Sequence, residues 1–149
     1  MDKILPQDSA TDDSLQDYRL EDQIGFKLRL ANQRHLEIFS KLMPGITSTQ
    51  FAVMAKLREH APISQNQLGR LVGMDAATTK GVVDRLRNKG LVQSTPSATD
   101  MRRLEIALTD EGARFVNDAI GTARTISART VSNLTEREVD RLLTLLDKL

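Results

Sequence analysis

The sequence predicts a mainly α-helical protein with one small β-hairpin, and three patterns support this fold class. Apolar residues recur at steps of three and four near both ends of the chain, as in amphipathic helices. Capping patterns precede several helical segments. Leu104, Ile106 and Leu108 alternate with other residues, which is the period of a β-strand. The length of 149 residues suits one domain, or a small domain with appended helices.

The N-terminal region is predicted to be an acidic arm followed by a long helix. Residues 1–16 are polar and aperiodic, which is typical of a flexible arm, and residues 1–24 carry seven acids against two bases. A helix is predicted from Tyr18 until Pro44 and Gly45 end it. Its apolar face consists of Ile24, Leu28, Ala31, His35, Ile38 and Leu42.

Capping residues predict the starts of the later helices. Thr47, Ser64 and Thr135 are each followed three residues later by Gln or Glu, the spacing of a capping box, with apolar residues at the staple positions. Helices are therefore predicted at 49–60, 65–72 and 76–89, the last one capped by Asp75. Gly73 and Gly90 end two of them.

A β-hairpin and two more helices follow. Residues 91–95 and 104–108 are predicted strands, and 96–100 is turn material. A long helix is expected after Thr109. The final helix carries an apolar side that consists of Val139, Leu142, Leu143, Leu146 and Leu149.

The segment from Gln65 to Asp75 predicts a helix-turn-helix, because it reads as a helix, a glycine turn and a new helix start. Gly69 is small where the two helices must cross. The second helix turns outward the side chains of Ala77, Lys80, Gly81, Asp84, Arg87 and Asn88. Small residues at 77 and 81 would let this helix lie deep in a major groove. The alternative is that any two amphipathic helices joined by glycine share this pattern.

The hairpin converts this motif into a predicted winged helix. Its tip carries Arg102 and Arg103 beside Asp100. One arginine would enter the adjacent minor groove or touch its phosphates, oriented by a charge-assisted bond from Asp100. Residues 58–103 hold eight bases against four acids, as a phosphate-binding module requires. The alternative is an ordinary solvated hairpin tip.

The chain resembles the MarR family of transcriptional regulators. The matching stretches are 46–51, 64–69, 81–86, 89–92, 100–103 and 108–112. The resemblance implies a homodimer held by the terminal helices, bound to a pseudo-palindromic operator in double-stranded DNA, usually as a repressor that a small ligand releases. It implies that Arg102 is the wing-tip arginine and Asp100 its partner. Stretches 18–26 and 33–39 resemble the subgroup that controls aromatic-acid breakdown, including nicotinate and hydroxycinnamate pathways.

These patterns divide the chain and nominate its contact residues. Residues 1–16 are the arm, 17–45 and 109–149 the dimerisation helices, and 46–108 the winged-helix module. The residues expected to contact DNA are Ser64, Gln65, Asn66, Asp75, Ala76, Ala77, Thr78, Thr79, Lys80, Arg85, Arg87, Asp100, Arg102 and Arg103. The candidate contacts for a small aromatic acid or its thioester are Arg29, Arg34, His35, Phe39, Phe51 and Met54.

The ligand candidates have simpler alternatives. His35 on an apolar helix face is more often a satisfied core residue than a pocket residue. Phe39, Phe51 and Met54 at helical spacing are more often plain core. The two arginines are more often simply exposed.

Composition argues against other functions. There is no cysteine, and the two histidines are far apart, so no metal or cofactor is expected. No apolar run is long enough to span a membrane, and the N-terminus lacks a secretion signal, which favours a cytoplasmic protein. No nucleophile–base set or phosphate loop predicts an enzyme. A winged helix that binds protein and not DNA remains the main alternative.

Overall fold

The N-terminal part of the chain contains less helix than its pattern predicts. The computed structural model describes residues 12–149, with side chains from Ser14 onward. The chain divides into one unit ending at Arg34 and a second from His35 to Leu149. The first unit contains helix α1 (Asp12–Gln16), a 3-10 turn (Leu20–Asp22) and the beginning of helix α2 (Ile24–Leu42).

Two expectations for this region need correction. The predicted flexible arm lies mostly outside the described residues, and its described part, Asp12–Gln16, forms a short helix. The predicted helix start at Tyr18 is wrong, because Arg19 and Gln23 take extended backbone conformations on either side of the 3-10 turn. The Gln23 side chain donates to the Arg19 carbonyl at 3.0 Å and closes that turn. The apolar periodicity begins only at Ile24, where α2 starts.

The second unit follows the predicted order closely. After α2 come α3 (Ser48–His60), β1 (Ile63–Ser64), α4 (Gln65–Val72) and α5 (Ala76–Asn88). The hairpin strands are β2 (Val92–Pro96) and β3 (Leu104–Leu108), followed by α6 (Asp110–Thr130) and α7 (Glu136–Leu146). The mainly helical fold with a hairpin wing is confirmed.

The hairpin belongs to a three-stranded antiparallel sheet in the order β1-β3-β2. Ile106 of β3 pairs with Ser94 of β2 on one side and with Ile63 of β1 on the other. The sequence analysis missed β1, because a two-residue strand carries no detectable alternation. This third strand attaches the base of the hairpin to the start of α4.

The core is centred on α3, which packs against α4, α5, α6 and β3. Val53, Met54 and Leu57 of α3 are at most 1% exposed. They meet buried side chains from every element around them, namely Leu68, Val83, Leu86, Ile106 and Val116. Because α3 lies among all these elements, it sets the position of the helix-turn-helix relative to α6.

The predicted caps are present, with one difference. Thr47 and Thr135 each form a complete capping box. Ser64 accepts from the Gln67 amide at 3.2 Å, but the reciprocal bond is absent from α4. Asp75 accepts from the Thr78 amide at 2.7 Å, and this bond holds the pKa of the exposed Asp75 carboxyl below its ordinary value.

The start of α6 packs tightly against the end of the α5–β2 turn. Thr109 donates its backbone amide to the Leu91 carbonyl at 3.1 Å and its hydroxyl to the Gly90 carbonyl at 2.7 Å. Gly112, one turn into α6, lies so close that an added methyl group would overlap the Leu91 carbonyl oxygen. Gly112 is therefore needed for this close approach.

Within residues 12–149, no helix is long and apolar enough to cross a lipid bilayer.

Gly112→Ala should lower the free energy of unfolding by about 1–3 kcal/mol, because its methyl group must displace the Leu91 backbone. The control is Gly121→Ala in the same helix, where an added methyl group meets nothing within 4 Å. That substitution should raise stability by about 0.5–1 kcal/mol. Urea unfolding of both variants measures the difference, and equal stabilities would contradict the close contact.

Asp75→Asn should remove a pH-dependent part of stability. Because the pKa of Asp75 is lowered on folding, its stabilising contribution is present above the unfolded pKa and is lost as pH falls through the folded pKa. The difference in unfolding free energy between wild type and variant should be constant above about pH 5 and shrink below about pH 4. Urea unfolding at stepped pH measures it. A difference unchanged down to pH 2 would argue against the cap.

Candidate nucleic-acid interface

The predicted helix-turn-helix is present, and it depends on a close helix crossing at Gly69. A methyl group added there would lie 2.9 Å from Thr79 Oγ1 and 3.1 Å from the Met74 carbonyl oxygen. The Met74 amide donates to the Gly69 carbonyl at 3.0 Å, which closes the turn after α4. The residue type at position 69 therefore sets how closely α5 lies against α4.

Thr79 belongs to this crossing and not to the outer surface. Its side chain is 1% exposed, and its hydroxyl donates to the Asp75 carbonyl at 2.7 Å. The prediction that Thr79 contacts DNA is therefore wrong. Its position three, four and seven residues before Val82, Val83 and Leu86 places Thr79 on the buried face of α5, a signal that the sequence analysis did not use.

The outer face of α5 has the predicted shape. Ala76, Ala77, Thr78 and Lys80 are exposed, while Val82, Val83 and Leu86 are buried on the opposite side. At Gly81, an added methyl group would approach only the Arg85 Nη1 atom, at 3.7 Å. The middle of this face is thus low and unobstructed, as a helix entering a major groove requires.

A charge network lies beside this face. Asp84 accepts from Lys80 Nζ at 2.8 Å and from Arg87 Nη1 at 2.9 Å, and these cations hold its pKa below the ordinary range. Arg87 Nη2 also donates to Ser94 Oγ of β2 at 2.6 Å. Arg87, predicted to contact DNA, therefore connects α5 to the wing. The i, i+3 spacing to Asp84 is visible in the sequence, but the bond to Ser94 is not.

The wing tip is organised differently from the prediction. Asp100 Oδ1 accepts from the backbone amide of Arg102 at 3.0 Å, while Asp100 Oδ2 lies 3.8 Å from Arg103 Nε. The carboxylate therefore shapes the turn and makes its side-chain ion pair with Arg103, and the expected charge-assisted bond to the Arg102 side chain is absent from the described contacts. Arg102 remains exposed at the tip.

The beginning of α4 forms a cleft with the base of the wing. Ser64, Gln65 and Asn66, all predicted contacts, line this cleft of about 430 Å³ together with Arg103. Its other lining residues are Arg70 and Leu104. The sequence analysis missed Arg70, since only the pairing of β1 with β3 brings the wing base next to α4.

Two of the predicted ligand residues, Phe39 and Met54, are buried in the core. Met54 is fully buried, and Phe39 is 5% exposed and stacks at a tilt against both His35 and Phe51 with ring centroids 6.2 Å apart. His35 is half-buried. Its Nδ1 lies 3.0 Å from Thr130 Oγ1, and the Thr130 hydroxyl donates to the Ile126 carbonyl at 2.8 Å.

The two arginines predicted as ligand contacts lie in the first unit. Arg29 and Arg34 are both exposed. The Arg29 guanidinium lies over the Phe26 ring, 5.5 Å from its centroid. Their role in ligand binding stays a prediction.

An open groove of about 480 Å³ lies between α3 and α6. Its floor is apolar, with Phe51 and Ala55 from α3 and Ile120 and Ala123 from α6. Arg58, Arg124 and Ser127 provide the polar groups. Arg58 Nε donates to Asn117 Oδ1 at 2.7 Å, which holds its guanidinium at the groove. Of these residues, the sequence analysis named only Phe51.

Comparison with known proteins agrees with this architecture. Residues 46–104 match the MarR family model. The chain is 36% identical over 149 residues to the HTH-type transcriptional repressor NicR of Pseudomonas putida, covering 99% of this chain and 93% of NicR. A probable transcriptional regulator from Pseudomonas aeruginosa superposes with a TM-score of 0.83 at 44% identity, covering 87% of this chain and 98% of that one.

A further solved structure concerns ligand control. BpsR of Bordetella bronchiseptica superposes with a TM-score of 0.84 at 31% identity, covering 88% of this chain and 95% of BpsR. That structure describes the regulation of BpsR DNA binding by 6-hydroxynicotinic acid. The winged helix agrees with the family model and with the near-complete match to the repressor NicR. These findings confirm the predictions that the chain is a DNA-binding regulator and that it is not an enzyme. This chain belongs to the MarR family and is a winged helix-turn-helix transcriptional regulator that binds DNA.

Proposed function

We propose that this regulator is a cytoplasmic homodimeric repressor that binds a pseudo-palindromic operator and is released by a small aromatic acid. The observation that carries the proposal is the outer face of α5, which is exposed at Ala77, unobstructed at Gly81 and joined to the wing through Arg87 and Ser94. A helix and a wing held in fixed relation can read a major groove and the neighbouring minor groove together.

The DNA contacts then divide by chemistry. Ala76, Ala77 and Thr78 would lie against base edges, while Lys80 and Arg85 reach the phosphates. Asp75 would act through its cap, by orienting the first turn of α5. Residues 46–108 form the DNA-binding module in this proposal, and Arg102 enters the minor groove from the wing tip.

The dimer is supported by the apolar side of α7. Leu142, Leu143 and Leu146 are 37–57% exposed, and no α7 residue is buried in the single chain. A helix with an uncovered leucine face is stabilised by a partner. In the proposal, residues 17–45 and 109–149 cover these faces in a symmetric pair, which sets the two α5 helices about one DNA turn, ~34 Å, apart.

The ligand proposal is supported by the groove between α3 and α6. Its apolar floor suits a flat ring, and Arg58 and Arg124 suit a carboxylate, which guanidinium groups bind bidentately. 6-Hydroxynicotinic acid, which regulates DNA binding by BpsR, has both a flat ring and a carboxylate. A ligand can bind most tightly when the two DNA-binding modules of the dimer stand at a spacing other than the one that the operator requires. Such a ligand stabilises that conformation and lowers the population that can bind DNA.

Fluorescence anisotropy with a duplex from upstream of the gene tests the proposal. Wild-type protein should bind this duplex more tightly than a scrambled one, and affinity should fall steeply between 50 and 200 mM salt because phosphate contacts release counterions. Added 6-hydroxynicotinic acid should weaken binding, while benzamide, which lacks a carboxylate, should not. Failure to bind the duplex at low salt would contradict the proposal.

Arg102→Ala should weaken operator binding by about 1–3 kcal/mol and leave the fold intact, since the side chain is exposed at the wing tip. The control is Lys56→Gln, which removes an α3 surface cation paired with Glu59 at 3.4 Å. Anisotropy titrations measure both variants. Unchanged affinity for Arg102→Ala would remove the wing tip from the mechanism.

Leu143→Asp combined with Leu146→Asp should convert the dimer to a monomer, because both carboxylates would be buried at the interface. Thr144→Asp is the control, since it adds a carboxylate on another face of α7. Sedimentation equilibrium gives the mass of each variant. A dimer that survives the double substitution would show that α7 is not the interface.

Arg124→Gln should raise the 6-hydroxynicotinic acid concentration that half-releases the operator by about tenfold, the effect of losing one charge-assisted hydrogen bond. Affinity for the operator without ligand should stay unchanged. Arg114→Gln is the control, because Arg114 is an exposed α6 cation outside the groove. Equal half-release concentrations for both variants would place the ligand elsewhere.

A further inference from the structure

We propose that the cleft between α4 and the base of the wing binds one backbone phosphate of the duplex, and that Arg70 and Arg103 hold this phosphate together. This inference rests on the proposed operator binding, adds Arg70 to the expected DNA contacts and assigns Arg70 and Arg103 to one shared phosphate. It separates Arg103 in the cleft from its neighbour Arg102 at the wing tip.

The charge of the cleft selects an anion. Two guanidinium groups line it, one from Arg70 in α4 and one from Arg103 just before β3, and no carboxylate is among its lining residues. Among the side chains of residues 14–149, Arg70 has no carboxylate within ion-pair distance, and Arg103 has Asp100, with 3.8 Å between Nε and Oδ2. Arg70 is therefore available for a new partner, and Arg103 can exchange its long, exposed ion pair for a phosphate, because such pairs contribute little to stability.

The remaining lining groups favour a phosphodiester over a simple anion. Ser64 Oγ accepts from the Gln67 amide, so its proton is available to an incoming oxygen, and Gln65 and Asn66 offer side-chain amides. Leu104 is 59% exposed at the edge of the cleft. An exposed apolar side chain beside an anion site suits the sugar of a nucleotide, and a free ion makes no use of it.

The cleft is also rigidly connected to the DNA-reading helix. Arg70 follows Gly69, the residue at the tight crossing of α4 and α5. Arg103 donates its amide to the Asp100 carbonyl at 3.0 Å, and its own carbonyl accepts from the Ser97 amide at 2.8 Å. A phosphate in the cleft would therefore set the register of α5 along the groove, since phosphate contacts fix orientation on the duplex.

A double-mutant cycle tests whether the two arginines share one phosphate. Arg70→Gln and Arg103→Gln should each weaken operator binding about tenfold at 0.15 M salt. The double variant should lose less than the product of the two single losses, because both contacts serve one group. The slope of the logarithm of the operator association constant against the logarithm of salt concentration should decrease in magnitude by about 0.9 in the double variant, the value for one phosphate.

Control variants separate charge from geometry. Arg70→Lys keeps the charge but not the bidentate fork, so it should recover only part of the affinity lost in Arg70→Gln. Lys56→Gln, outside the cleft, should bind as wild type. Discrimination between the operator and a scrambled duplex should be retained in all cleft variants, since a phosphate contact carries no sequence information.

Several outcomes would overturn the inference. One is that Arg70→Gln and Arg103→Gln both bind the operator with wild-type affinity and wild-type salt dependence. Another is that the two losses in binding free energy add in the double variant while its salt slope changes by about 1.8, the value for two phosphates. Saturable binding of inorganic phosphate to the free protein at submillimolar concentration, absent from the double variant, would assign the cleft to a free anion. By contrast, failure of wild-type protein to bind the duplex would refute the proposed function itself.

Discussion

The close contact between α4 and α5 at Gly69 is the constraint on which the DNA-reading surface depends. With Thr79 Oγ1 and the Met74 carbonyl oxygen at 2.9 and 3.1 Å from where a methyl group would stand, no larger residue fits without displacing backbone or a buried side chain. Thr79 is held in this contact by its bond to the Asp75 carbonyl, which lies at the cap of α5. The crossing of α4 and α5 and the cap at Asp75 thus together fix the angle of α5.

Ion pairs within the protein reduce the positive charge that this surface presents to DNA. The whole chain has a formal net charge of only +1, and on α5 Asp84 pairs with both Lys80 and Arg87 and offsets one of their two charges. A surface of this kind gains little affinity from unspecific attraction, because such affinity depends on the number of phosphates that its cations neutralise. Arg70 in the cleft beside α4 and Arg102 on the wing lie at the edges of this surface, and neither forms an ion pair with a described side chain. In the proposed complex, those edges would position the module, and the small residues of α5 would meet the bases.

Helix α3 physically joins the two proposed binding surfaces. One side of α3 lines the groove with Phe51, Ala55 and Arg58, and the other packs its buried residues against α4 and α5. Because packed cores are bistable and do not deform continuously, a ligand that displaces α3 relative to α6 would move the helix-turn-helix as a body. Ligand control therefore needs no direct contact between the aromatic acid and the DNA-binding residues.

The sequence by itself determined the features that depend on near neighbours along the chain. Caps at Thr47, Asp75 and Thr135 bond within three residues, and apolar periodicity indicates one helix face, so the starts of α3 to α7 and both hairpin strands could be predicted to within one or two residues. The tertiary structure alone decided what depends on distant segments. It packed Thr79 against Gly69, joined Arg87 to Ser94, paired the short β1 with β3, and brought Arg70 beside Arg103. These contacts leave no periodic signal, because each joins residues whose spacing along the chain is unrelated to a helix or strand repeat.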